Sequence, residues 1–146
     1  MNTTTDREHR VKRGDTLWTE LRAELEAHLH GPLRVGLDWT GHDVYAHFAR
    51  WTSHAGTCVT AILAGERPPL FDEDEDALNE RWKAEDRDLP TDVVRERCLS
   101  SREDLRSLAL GFTDEQWEQF GEFSTQDING SHYDHHLRAI HPERPE

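Results

Sequence analysis

The chain has 146 residues, 34% hydrophobic and 32% charged, with 30 acidic against 17 basic side chains. This length fits one domain that can bury a core without disulfide or metal staples. A net charge of −13 disfavours binding to nucleic acid and to anionic membrane, and no basic stripe with interleaved aromatics offsets it.

Helical periodicity dominates and no strand alternation competes with it. Thr5-Asp6-Arg7-Glu8 has capping-box form, and Val11, Trp18, Leu21, Leu25 and Leu29 then recur at helical spacing. Gly14 is a weak point in this run. The spacing predicts a helix over about 5–30, ended by Gly31-Pro32. After the connector LRVGLDW, Thr40-Gly41-His42-Asp43 opens a second helix over about 40–64, stopped by Gly65 and Pro68-Pro69. At ~100° per residue, Val44, Phe48, Trp51, Ala55, Cys58 and Ile62 share the face expected to enter the core.

The acidic stretch from Asp72 to Asp76 reads as a solvated loop leading into a helix N-terminus, where negative charge suits the dipole. A third helical region is expected over about 76–110, broken near Pro90, with Gly111 as its C-cap. Thr113-Asp114-Glu115-Gln116 opens a short turn carrying Trp117 and Phe120, and residues 121–128 read as irregular. Asn129 or Ser131 caps a last helix over about 130–141, before Pro142. The expected fold is an all-α, up-down four-helix bundle with one longer crossover. It forms a single domain over 1–146, with residues 142–146 as a frayed tail.

No apolar run approaches the ~18 residues of a membrane span. The N-terminal MNTTTDREHR lacks the apolar stretch of a signal peptide, so the expected location is the cytoplasm. Cys58 and Cys98 belong to no C-x-x-C pair and read as reduced, packed thiols.

Ten histidines are many for this length. His9, His28, His30, His42 and His141 fall on polar faces or helix ends and read as solvated. His47 lies within ~60° of the apolar face and, away from water, needs partners. His54 follows seven residues on, nearer the edge of that side. His132 and His136 are spaced i, i+4, which stacks two imidazoles on one helix face so that both can converge on one ion. His135 lies at the edge of that face and is an alternative to either. A third imidazole from another helix would leave a metal with an open position. The competing reading is a set of half-buried histidines hydrogen-bonded to carboxylates.

Two segments carry a family resemblance. In LDWTGHDVYAHFARW, residues Trp39, Thr40, Asp43, Val44, His47, Phe48 and Trp51 match in order a W-[ST]-x-x-[DE]-[VL]-x-x-H-[LF]-x-x-W helix start. This segment resembles the DinB-like superfamily, which includes the N-terminal domain of mycothiol-dependent maleylpyruvate isomerase. SHYDHHLRAI resembles that family's C-terminal H-x-x-x-H helix. The resemblance implies a bundle of DinB topology holding one divalent metal between helices, with His47, His132 and His136 as ligands. Zinc is the leading candidate, and imidazole also suits nickel, iron, copper or manganese.

The resemblance further implies a metal-dependent isomerase or S-transferase in which the metal activates a low-molecular-weight thiol, or else water. The sequence ends soon after the expected metal helix, so the second domain of the full isomerase is not expected, which counts against the isomerase reaction itself. Asp43, His54, Tyr133, Asp134 and His135 are the candidates for proton transfer or for orienting ligands, with His54 expected to face the cavity. Trp51 and Trp82 are candidate pocket walls or core residues. The alternative function is a non-catalytic, metal-stabilised bundle acting as a binding or stress-response module, for which a fourth protein ligand such as His54 or Asp134 would speak. The expected partners are a small-molecule substrate and a second copy of the chain.

Overall fold

The computed structural model describes residues 3–145, without the side chains of 3–5 and 121–125. The elements in order are α1 (Thr3–Ala27), α2 (Gly41–Leu63), α3 (Glu75–Asp86), α4 (Thr91–Leu110), α5 (Asp114–Asn129) and α6 (Ser131–Ile140). The fold is all-α, as expected. The side chain of the Thr5 cap lies outside the described residues.

Capping residues set the starts. Thr40 accepts from the Asp43 N–H while the Asp43 carboxylate accepts from the Thr40 N–H, and Thr113 and Gln116 repeat this box at α5. Asp74 accepts from the Ala77 N–H at α3, so the acidic run does lead into a helix start. Each box satisfies two donors that a helix N-terminus leaves free. Helix α1 ends a turn before Gly31. The expected third region is two separate helices, α3 and α4, divided at Pro90. Residues 121–128, expected to be irregular, are helical and belong to α5.

Helix α2 packs principally against α4, while α1 packs on α5, α6 and α2. Glycine makes two of these approaches possible. A Cβ at Gly14 would lie 1.7 Å from the Ile128 carbonyl oxygen on α5, and one at Gly41 would lie 2.1 Å from the Leu25 carbonyl oxygen on α1. Gly14, a weak point for propensity alone, is thus the contact that seats α5 on α1.

The core has two parts. One gathers Trp18, Leu21, Leu25, Phe48, Tyr133 and Leu137. The other gathers Val11, Val59, Leu105, Phe112, Trp117 and Ile128. On α2, Val44 and Phe48 are buried as expected, but Tyr45, Ala49, Thr52 and Val59 join them, and Trp51, Ala55, Cys58 and Ile62 are only half-buried. The buried face is therefore turned about one residue from the expected line. Cys98 is buried and Cys58 half-buried, and both are free thiols. No helix among the described residues is long and apolar enough to cross a membrane.

Candidate metal centre

His47, from the second turn of α2, meets His132 and His136, from α6. The Nε2 atoms of His47 and His132 are 3.2 Å apart, as are those of His136 and His132. One ligating nitrogen from each residue lies within 4.8 Å of the others. Two imidazole nitrogens bound to zinc at about 2.0–2.1 Å and a tetrahedral angle are roughly 3.3 Å apart, so the observed spacing suits a shared ion. The i, i+4 spacing on α6 stacks two rings, and α2 brings the third across. His135, one residue away, is exposed.

The surroundings prepare these rings. Burial pushes His47 down to about 3 and His136 well below the usual histidine value, so both are neutral across the physiological range. Neutral imidazole is the form that ligates. His132 Nδ1–H donates to the Asp127 carboxylate at 2.6 Å, which turns its Nε2 lone pair toward the other two rings. Asp127 is buried and its second oxygen accepts from the Thr52 hydroxyl at 2.9 Å. Its backbone carbonyl accepts from the Tyr133 hydroxyl. A carboxylate of this kind fixes the tautomer and the orientation of a ligating histidine.

Gly130 separates Asp127 on α5 from His132 on α6. Its φ of 93° is left-handed and ends α5, and the chain restarts at once as α6. The N-cap of α6 is Gly130, which has no side chain to cap with, and not the expected Asn129 or Ser131; the Asn129 side chain, one residue earlier, accepts from the Ser131 N–H at 2.9 Å and covers a donor at this restart. Asp127 was missed because its segment read as irregular. A carboxylate five residues before a histidine and across a glycine was the signal available in the sequence.

The other expected participants have different places. Asp43 is spent on the α2 capping box and on Arg87, whose Nη2 is 3.1 Å away. Tyr133 is buried with its hydroxyl between Asp127 and Arg102, and burial raises its pKa well above the usual value. Asp134 pairs with Arg138 at 2.8 Å on the outer side of α6. His54 lines the cleft, and its Nε2 is 3.4 Å from the Cys58 sulfur. Burial lowers the His54 pKa and raises that of Cys58, so neither group is pushed toward its charged form.

His42 is the clearest correction among the surface assignments. It is 6% exposed, not solvated. Its Nε2–H donates to the Asp86 carbonyl at 3.0 Å and its Nδ1 accepts from the Thr91 hydroxyl at 3.0 Å. Both ring nitrogens are therefore used within the protein. His9, His28 and His30 are exposed, and His141 is half-exposed with Nε2 2.8 Å from Glu24.

The three rings stand in the wall of a cleft of about 790 Å³, which Trp39, Trp51, His54, Phe71 and His135 also line. The Trp39 ring meets His47 edge-on at 5.6 Å. Trp51 donates from its indole N–H to Asn79 at 2.6 Å. Trp82 is buried behind Trp51, with ring centroids 5.0 Å apart, and serves as packing.

No family model matches this chain, and no characterised protein or solved structure is significantly similar to it.

Proposed function

We propose that this is a metal-dependent protein of DinB-like kind, with the topology of that family. In this reading His47, His132 and His136 hold one divalent ion, zinc by preference, and the cleft admits a small molecule to it. The observation that carries the proposal is the convergence of three Nε2 atoms from two helices on one point in the wall of an open cleft. A divalent ion there would supply Lewis acidity, lowering the pKa of a thiol or water at its open position.

The chain's own residues divide the remaining work. Asp127 and Thr52 hold the His132 ring and its tautomer. Trp39 and Phe48 press on His47 from two sides, at 5.6 and 5.5 Å between ring centroids, and restrict its rotation. His54 stands on the cleft wall as a neutral imidazole able to take or give a proton.

A thiol cosubstrate remains part of the reading through the family resemblance alone. Catalysis is favoured over a purely structural metal because no fourth donor joins the three histidines among the described residues. Asp134 is committed to Arg138, and His54 is in contact with Cys58. Closed sites normally use four protein ligands.

Elemental analysis of the purified full chain tests the proposal. The expected result is about one equivalent of divalent metal per chain. Absence of metal after incubation with zinc and with nickel overturns it.

A further inference from the structure

Asp127 aims His132, and Asp127 is itself held by groups that stand outside the cleft. Helix α5 ends at Asn129, so the carbonyls of its last turn have no partner within the helix. In a continued helix the Ser131 N–H would serve the Asp127 carbonyl, but it goes to the Asn129 side chain instead. The Tyr133 hydroxyl takes its place and donates to the Asp127 carbonyl. Arg13 on α1 donates to the Asn129 carbonyl at 3.0 Å. The main chain that carries the Asp127 carboxylate is therefore fixed from α6 and α1, while Thr52 holds the carboxylate itself from α2.

Arg102 on α4 decides which way the Tyr133 hydroxyl points. A guanidinium has donors and no acceptor. Its Nε–H donates to the hydroxyl at 3.0 Å, so the hydroxyl turns its own hydrogen away, and the Asp127 carbonyl is the acceptor it meets. Arg102 is anchored in turn. Its Nη2 is 2.7 Å from the Asp15 carboxylate on α1, which also takes both Nε and Nη2 of Arg106. The guanidinium carbon lies 5.6 and 5.7 Å from the ring centroids of Trp18 and Tyr133. The Arg102 side chain is 11% exposed, so its hydrogen bonds are those of a charge withdrawn from water, which are strong.

We infer that Arg102 and Tyr133 are positioning residues for the metal centre, which rests on reading His47, His132 and His136 as its ligands. The order of contact is Asp15, Arg102, Tyr133, Asp127, His132. Neither Arg102 nor Tyr133 lines the cleft. Their route to the ion runs through Asp127.

The zinc affinity of the full chain, read by competition with a chelating dye, tests this. Tyr133→Phe keeps the ring and removes the hydroxyl. It should weaken zinc about three- to tenfold, less than the roughly 10–100-fold expected of a group bonded directly to a ligand. Arg102→Met keeps the stem without the donors and should weaken zinc about threefold. These losses should not add. In the Asp127→Asn background, Tyr133→Phe should cost less than about twofold more, and Arg102→Met should add nothing to Tyr133→Phe. The visible absorption of the cobalt-loaded chain should shift in Tyr133→Phe. Val59→Ala, in the other half of the core, should lower the urea midpoint and leave both zinc affinity and the cobalt spectrum unchanged.

Unchanged zinc affinity in Tyr133→Phe, losses that add to that of Asp127→Asn, or an equal loss in Val59→Ala each overturns the inference. If Arg102→Met does not fold, the Tyr133→Phe and Asp127→Asn pair decides. A wild-type chain that takes up no metal overturns the metal reading and this inference together. A chain whose zinc binding is weakened by Asp127→Asn and not by Tyr133→Phe loses this inference alone.

Discussion

Helix α2 has two sides along its first turns, with His42 buried on one and His47 half-buried on the other. On the side facing α3 and α4, His42 uses both ring nitrogens on Asp86 and Thr91. There Arg50 is bidentate on Asp86, and Arg87 pairs with Asp43. On that side the His42 ring and the Arg50 and Arg87 guanidinium groups are matched to acceptors within the protein, beside a second cavity of about 890 Å³ lined by Arg50, Trp82 and Asp86. On the side facing α6, His47 has its Nε2 3.2 Å from another imidazole nitrogen, beside an open cleft. Withdrawal from solvent alone does not mark a histidine as a ligand, since the more buried of the two is the one fully bonded within the protein. What separates them is whether the protein itself consumes the ring nitrogens.

The sharpest way to break this comparison is to remove one ring at a time and measure bound metal. His136→Ala should fall from about one equivalent to essentially none. His135→Ala and His42→Ala should each keep most of it. Equal loss at positions 135 and 136 would mean that α6 presents another register to α2.

Asp127→Asn comes next. The amide can keep the shape but cannot hold the His132 tautomer in the same way, and metal affinity should weaken about 10–100-fold. Competition with a chelating dye reads this directly, and an unchanged affinity would assign Asp127 to packing alone.

The His42 side should answer in stability instead. His42→Ala leaves the Asp86 carbonyl and the Thr91 hydroxyl without their partner. The expected loss is about 1–3 kcal/mol in urea unfolding, with metal affinity preserved. Loss of metal without loss of stability would invert the roles assigned to the two sides.

A further prediction concerns the acid limb of the metal-free protein. His47 has a folded value of about 3, against 6.5 as its ordinary value. As pH falls the unfolded chain therefore takes up the proton first. The stability contributed by neutral His47 is present above about 6.5 and is lost progressively as pH falls toward 3. Burial of His136 acts in the same direction. Urea midpoints measured between pH 7 and 4 should slope downward, and His47→Gln should flatten that slope. Parallel slopes in the two proteins would remove His47 as the cause.

The same contrast explains what could be read from the sequence. The i, i+4 pair on α6 was legible because helical spacing fixes which rings stack. His47 was legible as an inward histidine, and the family resemblance joined it to the other two. His42 was not, because counting residues around a helix assumes one buried face, and α2 is enclosed by α1, α3 and α4 along its first turns. The burial of Thr52 and Val59 in place of Trp51 and Cys58 has the same origin. Asp127 was hidden for a different reason. Its segment contains glycine, serine and threonine, and tertiary packing on α1, where Gly14 meets Ile128, and on α2, α4 and α6 supports it as a helix.

Gly130 has a consequence for how this sequence can change. Its α-carbon sits where a side chain would strike Leu17 and crowd Gly14, and its φ of 93° joins the helix of Asp127 to the helix of His132. Five sequence positions thus separate a ligand from the carboxylate that aims it, with a fixed bend between them. One inserted residue here would turn the imidazole by ~100° away from its partners. Length variation should accordingly be barred between 127 and 136 and tolerated in the exposed connector around 66–73, although both segments border the same cleft.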